Sequence, residues 1–233
     1  MMDPLQVVGP PPLLTSLLGC VAFATQLLSG HPSLGYAVPP EKLNPVPLRI
    51  FGEYTFLTTQ TNVFGTVYFF LCLVSWFFPG IPGFAGLSSA LFPMAFGLGV
   101  FLTLAYYALD HFNEESERQR RHWTKRGYPH CNIIAHLSHM FALPVVFLHA
   151  ISIDEPCLYA DVRYAAMYIA GYVVFSVWNR KMTGAWQYPI LADVEAKYGG
   201  VGVLIFMAVL AGIVALLSVL GVYITKFGSA SVR

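Results

Sequence analysis

Two polar runs interrupt an otherwise apolar chain, and their residue types are those of acyl-transfer chemistry. The first is Thr58-Thr59-Gln60-Thr61-Asn62; the second is His136-Leu137-Ser138-His139, with Pro144 five residues on. At about 100° per residue, Thr58, Thr61, Asn62 and Gly65 fall on one helical stripe. His136 and His139, three apart, share a face. A hydroxyl beside an imidazole is a nucleophile and base in outline. The imidazole takes the hydroxyl proton as the oxygen attacks an ester carbonyl, then returns it to the departing alcohol. Thr58 and His139 are the candidate pair, Asp110 is a candidate to orient the histidine, and Asn62 or His136 could donate to the oxyanion. Helix packing is the competing account of the stripe, because Thr and Asn bond across helices and Gly permits close approach. His149 falls on a different face and His130 at a membrane boundary, and both are expected to be structural. A metal centre is not expected: only seven histidines exist, and no other pair has ligand-box spacing.

These residues need elements to hold them, and composition says what kind. Only 11% of the 233 residues are charged, 56% are hydrophobic, and the formal net charge is +1. An ordinary soluble domain carries roughly 25% charged residues. This chain cannot cover a water-facing surface, and its charge balance gives nucleic acid nothing to bind. Soluble, disordered and nucleic-acid-binding classes are excluded, leaving an integral membrane protein.

Residues 4–40, 54–109, 127–153, 164–179 and 198–225 contain no Asp, Glu, Lys or Arg. A helix needs about 20 apolar residues to cross a hydrocarbon core about 30 Å thick. The pattern predicts an all-α polytopic bundle of six spans in a single integral membrane domain over residues 1–233, near 12–28, 54–78, 87–109, 131–153, 162–178 and 201–227. The breaker Pro79-Gly80-Ile81-Pro82-Gly83 separates the second from the third. The amino terminus, with Asp3 and no basic leader, does not resemble a signal peptide. Cys20 and Cys72 fall inside spans, and Cys131 and Cys157 flank the fourth, so no disulfide framework is expected.

The loops after spans one, three and five hold ten Lys and Arg residues, against three elsewhere, which places both termini outside. Spans two and four begin on the same side of the membrane, whatever the orientation. Thr58 and His139 are therefore expected at similar depth in one leaflet, where Asp110 and the end of span five also emerge.

In this order the segments resemble the androgen-induced protein / androgen-dependent TFPI-regulating protein family. The resemblance runs through Phe56-Leu57-Thr58, Phe92-Pro93, Tyr107-Ala108-Leu109-Asp110, His136-x-x-His139 and Leu143-Pro144. It closes with Gly171-Tyr172, Trp178 and Thr183-Gly184-x-Trp186-x-Tyr188-Pro189. It implies a multi-pass membrane hydrolase of fatty acid esters of hydroxy fatty acids, with Thr58 as nucleophile and His139 as its catalytic partner. No cofactor is implied. The expected partners are membrane lipids and a lipid ester entering from the bilayer, in the endoplasmic reticulum or plasma membrane. Here the loop after span two is short and uncharged, and the basic cluster follows span three, unlike the family's pattern. Trp186 and Tyr188 are either the walls of a lipid-chain pocket or an interfacial aromatic anchor ended by Pro189. The alternative function is a non-catalytic lipid-binding or transport protein whose Thr/Asn stripe and histidines line a cavity.

Overall fold

A computed structural model describes residues 9–29, 52–81, 83–127 and 131–231. Lys42, Arg49, His130 and Arg233 lie outside the described residues, as do Asp3 and Pro82. The helices are α1 (Leu13–Ser29), α2 (Leu57–Phe77), α3 (Phe84–Ala105), α4 (Glu114–Lys125), α5 (Cys131–Leu137), α6 (Ala142–Ser152), α7 (Val162–Thr183) and α8 (Pro189–Ser231). A 3-10 turn over Gly52–Thr55 leads into α2, a π-helical turn over Tyr106–His111 ends α3, and no strand occurs among the described residues.

Burial is inverted relative to a soluble protein. Leu14, Val67, Phe70, Leu104, Phe147, Met167, Ile205 and Leu216 are exposed, while Gln26, Asn62, His149, Ser176, Asn179 and Gln187 are buried. An exposed apolar girdle of this kind is stable against lipid tails and not against water.

Among the described residues, four helical segments are long and apolar enough to cross a membrane: Leu57–Phe77, Phe84–His111, Ile133–Ser152 and Pro189–Phe227. The six expected spans therefore divide. α1 is apolar but has 17 residues, about 26 Å of helix at a rise of about 1.5 Å. α7 has 22 residues but carries Arg163, Asn179, Arg180 and Lys181.

α3 is the central post. Of its apolar window 72% is buried, against 22–33% for the other three, because α2, α6, α7 and α8 all pack on it. Phe92, Phe96, Tyr68, Phe69, Phe23 and Val146 form the core around it. α1 locks onto α2 by reciprocal fit. A methyl group on Gly65 would lie 2.2 Å from Phe23, and one on Gly19 would lie 2.3 Å from Phe69. Each ring fills the space that the facing glycine leaves. Gly65→Ala should therefore lower stability by about 1–3 kcal/mol through overpacking, read as a drop in the thermal midpoint in detergent micelles. An unchanged midpoint would show that this contact gives way freely.

Two expected spans prove irregular. The fourth, expected as one helix over 131–153, is broken at residues 138–141 between α5 and α6. Pro144 has no N–H to give the Met140 carbonyl one turn back, and its ring crowds that carbonyl, which favours a break there. The sixth, expected over 201–227, belongs to a helical run beginning at Pro189 and kinked at Gly199, where φ is 70°.

Candidate active site

The break in the fourth span is where the site forms. Breaking a helix inside a membrane strands backbone groups that lipid cannot satisfy. Here three other helices satisfy them. Gln26 of α1 accepts the N–H groups of Phe141 and Ala142 on its Oε1, at 3.0 and 3.1 Å. Asn62 of α2 donates from Nδ2 to the Ser138 carbonyl at 3.2 Å, and its Oδ1 accepts from Gln26 Nε2 at 2.9 Å. Thr103 of α3 donates to the His139 carbonyl at 2.6 Å and accepts from the Leu143 N–H at 3.3 Å.

Held by this frame, His139 projects toward the start of α2. Its Nε2 lies 3.2 Å from Thr58 Oγ1. Its Nδ1 lies 2.6 Å from the Ala135 carbonyl oxygen. A carbonyl oxygen has no proton to give, so Nδ1 carries the imidazole N–H and Nε2 presents its lone pair. Thr58 is therefore the donor in the Thr58–His139 bond. Ser138 Oγ is 3.1 Å from the same Nδ1 while donating its own proton back into α5. The imidazole lies flat against Tyr106, with ring centroids 4.1 Å apart and planes within 10°. The π-helical turn at the end of α3 allows this, since the extra residue per turn turns Tyr106 and Tyr107 toward the histidines.

The remaining predicted residues sort clearly. His136 lies beside the pair, bonded from Nδ1 to the Tyr107 hydroxyl at 3.0 Å, with its ring 4.7 Å from that of His111. Asp110 does not orient His139. Its carboxylate accepts from Ser116 Oγ at 2.7 Å and faces Arg120 at 3.8 Å, and the Ala135 carbonyl takes the role expected of it. Asn62 is held by the Gln26 and Ser138 bonds, so the packing account of the stripe applies to Asn62 and Gly65. Thr61 is buried, and its hydroxyl has no partner among the described residues. Trp186 is no interfacial anchor: it is buried against Leu191, Val203 and Met207. Tyr188 turns inward, its ring edge-on to Phe56 at 5.3 Å and its hydroxyl accepting the Leu57 N–H at 2.9 Å. Among the described residues no cluster of ligands could hold a metal.

A second hydroxyl–imidazole pair exists deeper in the bundle. Thr15 Oγ1 is 2.8 Å from His149 Nδ1, and the Tyr68 hydroxyl is 3.2 Å from Nε2. His149 has no exposed surface and is enclosed by the rings of Tyr68, Phe69 and Phe92. With both nitrogens engaged it ties α1, α2 and α6 together. A groove of about 350 Å³ lined by Val63, Phe64, Val67 and Tyr168 lies on the face of α2 turned away from Thr58.

Sequence reasoning missed Gln26, Thr103 and Tyr106. Gln26 and Thr103 are uncharged polar residues inside apolar stretches, so the same signal that picked out Thr58 picks them out when residues are taken singly rather than in runs.

Fold and site together define an all-helical integral membrane protein with a paired hydroxyl and imidazole where one of its helices breaks. The chain belongs to the FAR-17a/AIG1-like protein family, the androgen-induced gene 1 family, whose pattern matches residues 28–224. No curated protein and no solved structure matches it.

Proposed function

We propose that the chain is a membrane-embedded threonine hydrolase of lipid esters, with fatty acid esters of hydroxy fatty acids as its substrate class. The observation that carries this reading is the 3.2 Å bond from Thr58 to a histidine whose other nitrogen is held by a carbonyl. Thr58 Oγ1 attacks the ester carbonyl as its proton passes to His139 Nε2. The alcohol leaves with that proton, and water releases the acyl group from Thr58 by the same route. Family membership is consistent with a hydrolase, and the chemistry calls for no cofactor. The ester enters sideways from the bilayer, in the endoplasmic reticulum or the plasma membrane.

A fluorophosphonate probe tests the reading in detergent micelles. Wild-type protein should take a covalent adduct on the peptide that contains Thr58, and Thr58→Ala should take none. Equal labelling of both proteins would remove Thr58 as nucleophile. Absence of labelling in folded wild type, with lipid bound or moved but not cleaved, would return the chain to a binding or transport role.

A further inference from the structure

The Thr58–His139 pair has polar neighbours that its own chemistry does not use. On the hydrolase reading His139 hands its proton to the departing alcohol, so the alcohol half of the ester lies on the imidazole's side of Thr58. That side is walled by Tyr106, whose ring stacks on His139 at 4.1 Å. Around Tyr106 stand two more imidazoles. Its ring centroid is 5.9 Å from that of His136 and 5.6 Å from that of His111, and the two imidazoles lie 4.7 Å apart.

Each of these imidazoles is fixed by a phenol. The Tyr107 hydroxyl is 3.0 Å from Nδ1 of His136, and the Tyr106 hydroxyl is 3.4 Å from Nδ1 of His111. Neither hydroxyl has another hydrogen-bond partner among the described residues, so each phenol gives its proton to that nitrogen. A neutral imidazole that accepts on Nδ1 carries its N–H on Nε2. Neither Nε2 has a partner among the described residues, and both rings are half-buried rather than sealed. Two adjacent rings thus each hold an N–H donor with nothing to receive it.

Arg120 adds charge to these donors. It folds back from α4 so that its guanidinium donates to the His111 carbonyl, and its side chain is only 12% exposed. The carboxylate that faces it, Asp110, is 3.8 Å away, 54% exposed, and accepts from Ser116 Oγ at 2.7 Å. At 3.8 Å Asp110 makes no hydrogen bond to the guanidinium. The positive charge is therefore turned inward toward the imidazoles, and the negative one outward. Tyr106, Tyr107, Asp110 and His111 all belong to the π-helical turn that ends α3, a rare form that recurs at functional sites.

Resting on the hydrolase reading, we propose that His136, His111 and Arg120 form a carboxylate subsite for a free acid carried on the alcohol half of the substrate. The two Nε2–H groups donate to the carboxylate oxygens, and Arg120 stands behind them as the opposite charge. An ester of a hydroxy acid is then held at two points, its carbonyl at Thr58 and its acid at the imidazoles, with Tyr106 between. Triglycerides and sterol esters lack the second point, and would leave these donors unpaired. The subsite is thus what selects among lipid esters.

The palmitate ester of ricinoleic acid and the palmitate ester of methyl ricinoleate differ only at this carboxyl group. With palmitate release read in micelles, wild-type kcat/KM should be about 10–100-fold higher for the acid, as expected for hydrogen bonds to a charged group. The difference should lie mainly in KM. His111→Phe combined with His136→Phe keeps two rings and removes the donors, and should shrink that preference to about threefold or less. Arg120→Gln removes the charge, keeps a donor for the His111 carbonyl, and should narrow the preference about fivefold. If the double variant does not fold, Arg120→Gln carries the test alone. Equal kcat/KM for the two esters in wild type overturns the subsite. So does a loss in the variants that falls equally on both esters and leaves their ratio unchanged. Thr58→Ala separates the two readings: turnover lost there, beside equal handling of both esters by wild type, sinks only the subsite. If folded wild type cleaves neither ester, or Thr58→Ala cleaves both, the hydrolase reading falls and the subsite with it.

Discussion

Replacing His139 by alanine should lower ester hydrolysis by about 10³–10⁴-fold, with Thr58→Ala falling to the same floor and the double variant no lower. A threonine hydroxyl is a poor nucleophile until its proton is drawn away. The group placed to draw it is a single nitrogen lone pair 3.2 Å distant. Removing either partner removes the whole device, so the two losses must coincide rather than add. His139→Ala also deletes the ring stacked on Tyr106, which lowers stability modestly without touching the bonds that Gln26, Asn62 and Thr103 make to the backbone. The check is therefore double: turnover of a lipid ester, and the thermal midpoint of the same preparation. Two losses that multiply in the double variant would mean that Thr58 and His139 do not act as a unit.

The second large effect belongs to a residue far from the reacting atoms. Gln26→Leu should lower stability by about 3 kcal/mol or more, since it orphans three polar groups at about 1–3 kcal/mol each. Those groups are the N–H of Phe141, the N–H of Ala142 and Oδ1 of Asn62. Leucine fills the volume and meets none of them. The broken segment that carries His139 is then free to move, so activity should fall together with the unfolding midpoint in micelles. Full activity at an unchanged midpoint would show that the break is held by Asn62 and Thr103 alone.

How far the site was legible in the sequence depends on what each inference required. Charge-free stretches announce a helical membrane bundle without further help, because lipid leaves the backbone no other partners. The approach of Thr58 to His139 follows from counting crossings, which brings both residues to one leaflet, and the structure puts them in contact. The reading failed where a bond spans distant parts of the chain. The acceptor of the Phe141 N–H is a glutamine 115 residues earlier, and no periodicity links such positions. Pro144 stood in plain view within an expected unbroken span, but the break beside it did not, since the cost of stopping a helix in lipid depends on which side chains stand beside it. Asp110 drew the orienting role on charge alone. A main-chain carbonyl at Ala135 does that work unseen, because every residue has one. Six spans came from counting charge-free stretches, whereas among the described residues four helical segments meet both length and composition.

The frame around the break has a consequence for how the protein comes into being. Its struts come from three helices early in the chain, and the segment they hold follows all of them. Thr58 must wait for a partner 81 residues downstream. A half-made chain therefore carries its hydroxyl into the bilayer with nothing to activate it, among the very esters it would cleave. On the hydrolase reading Thr58 has no base until the segment that carries His139 is held, so a turnover assay on a variant reports first on whether assembly has finished.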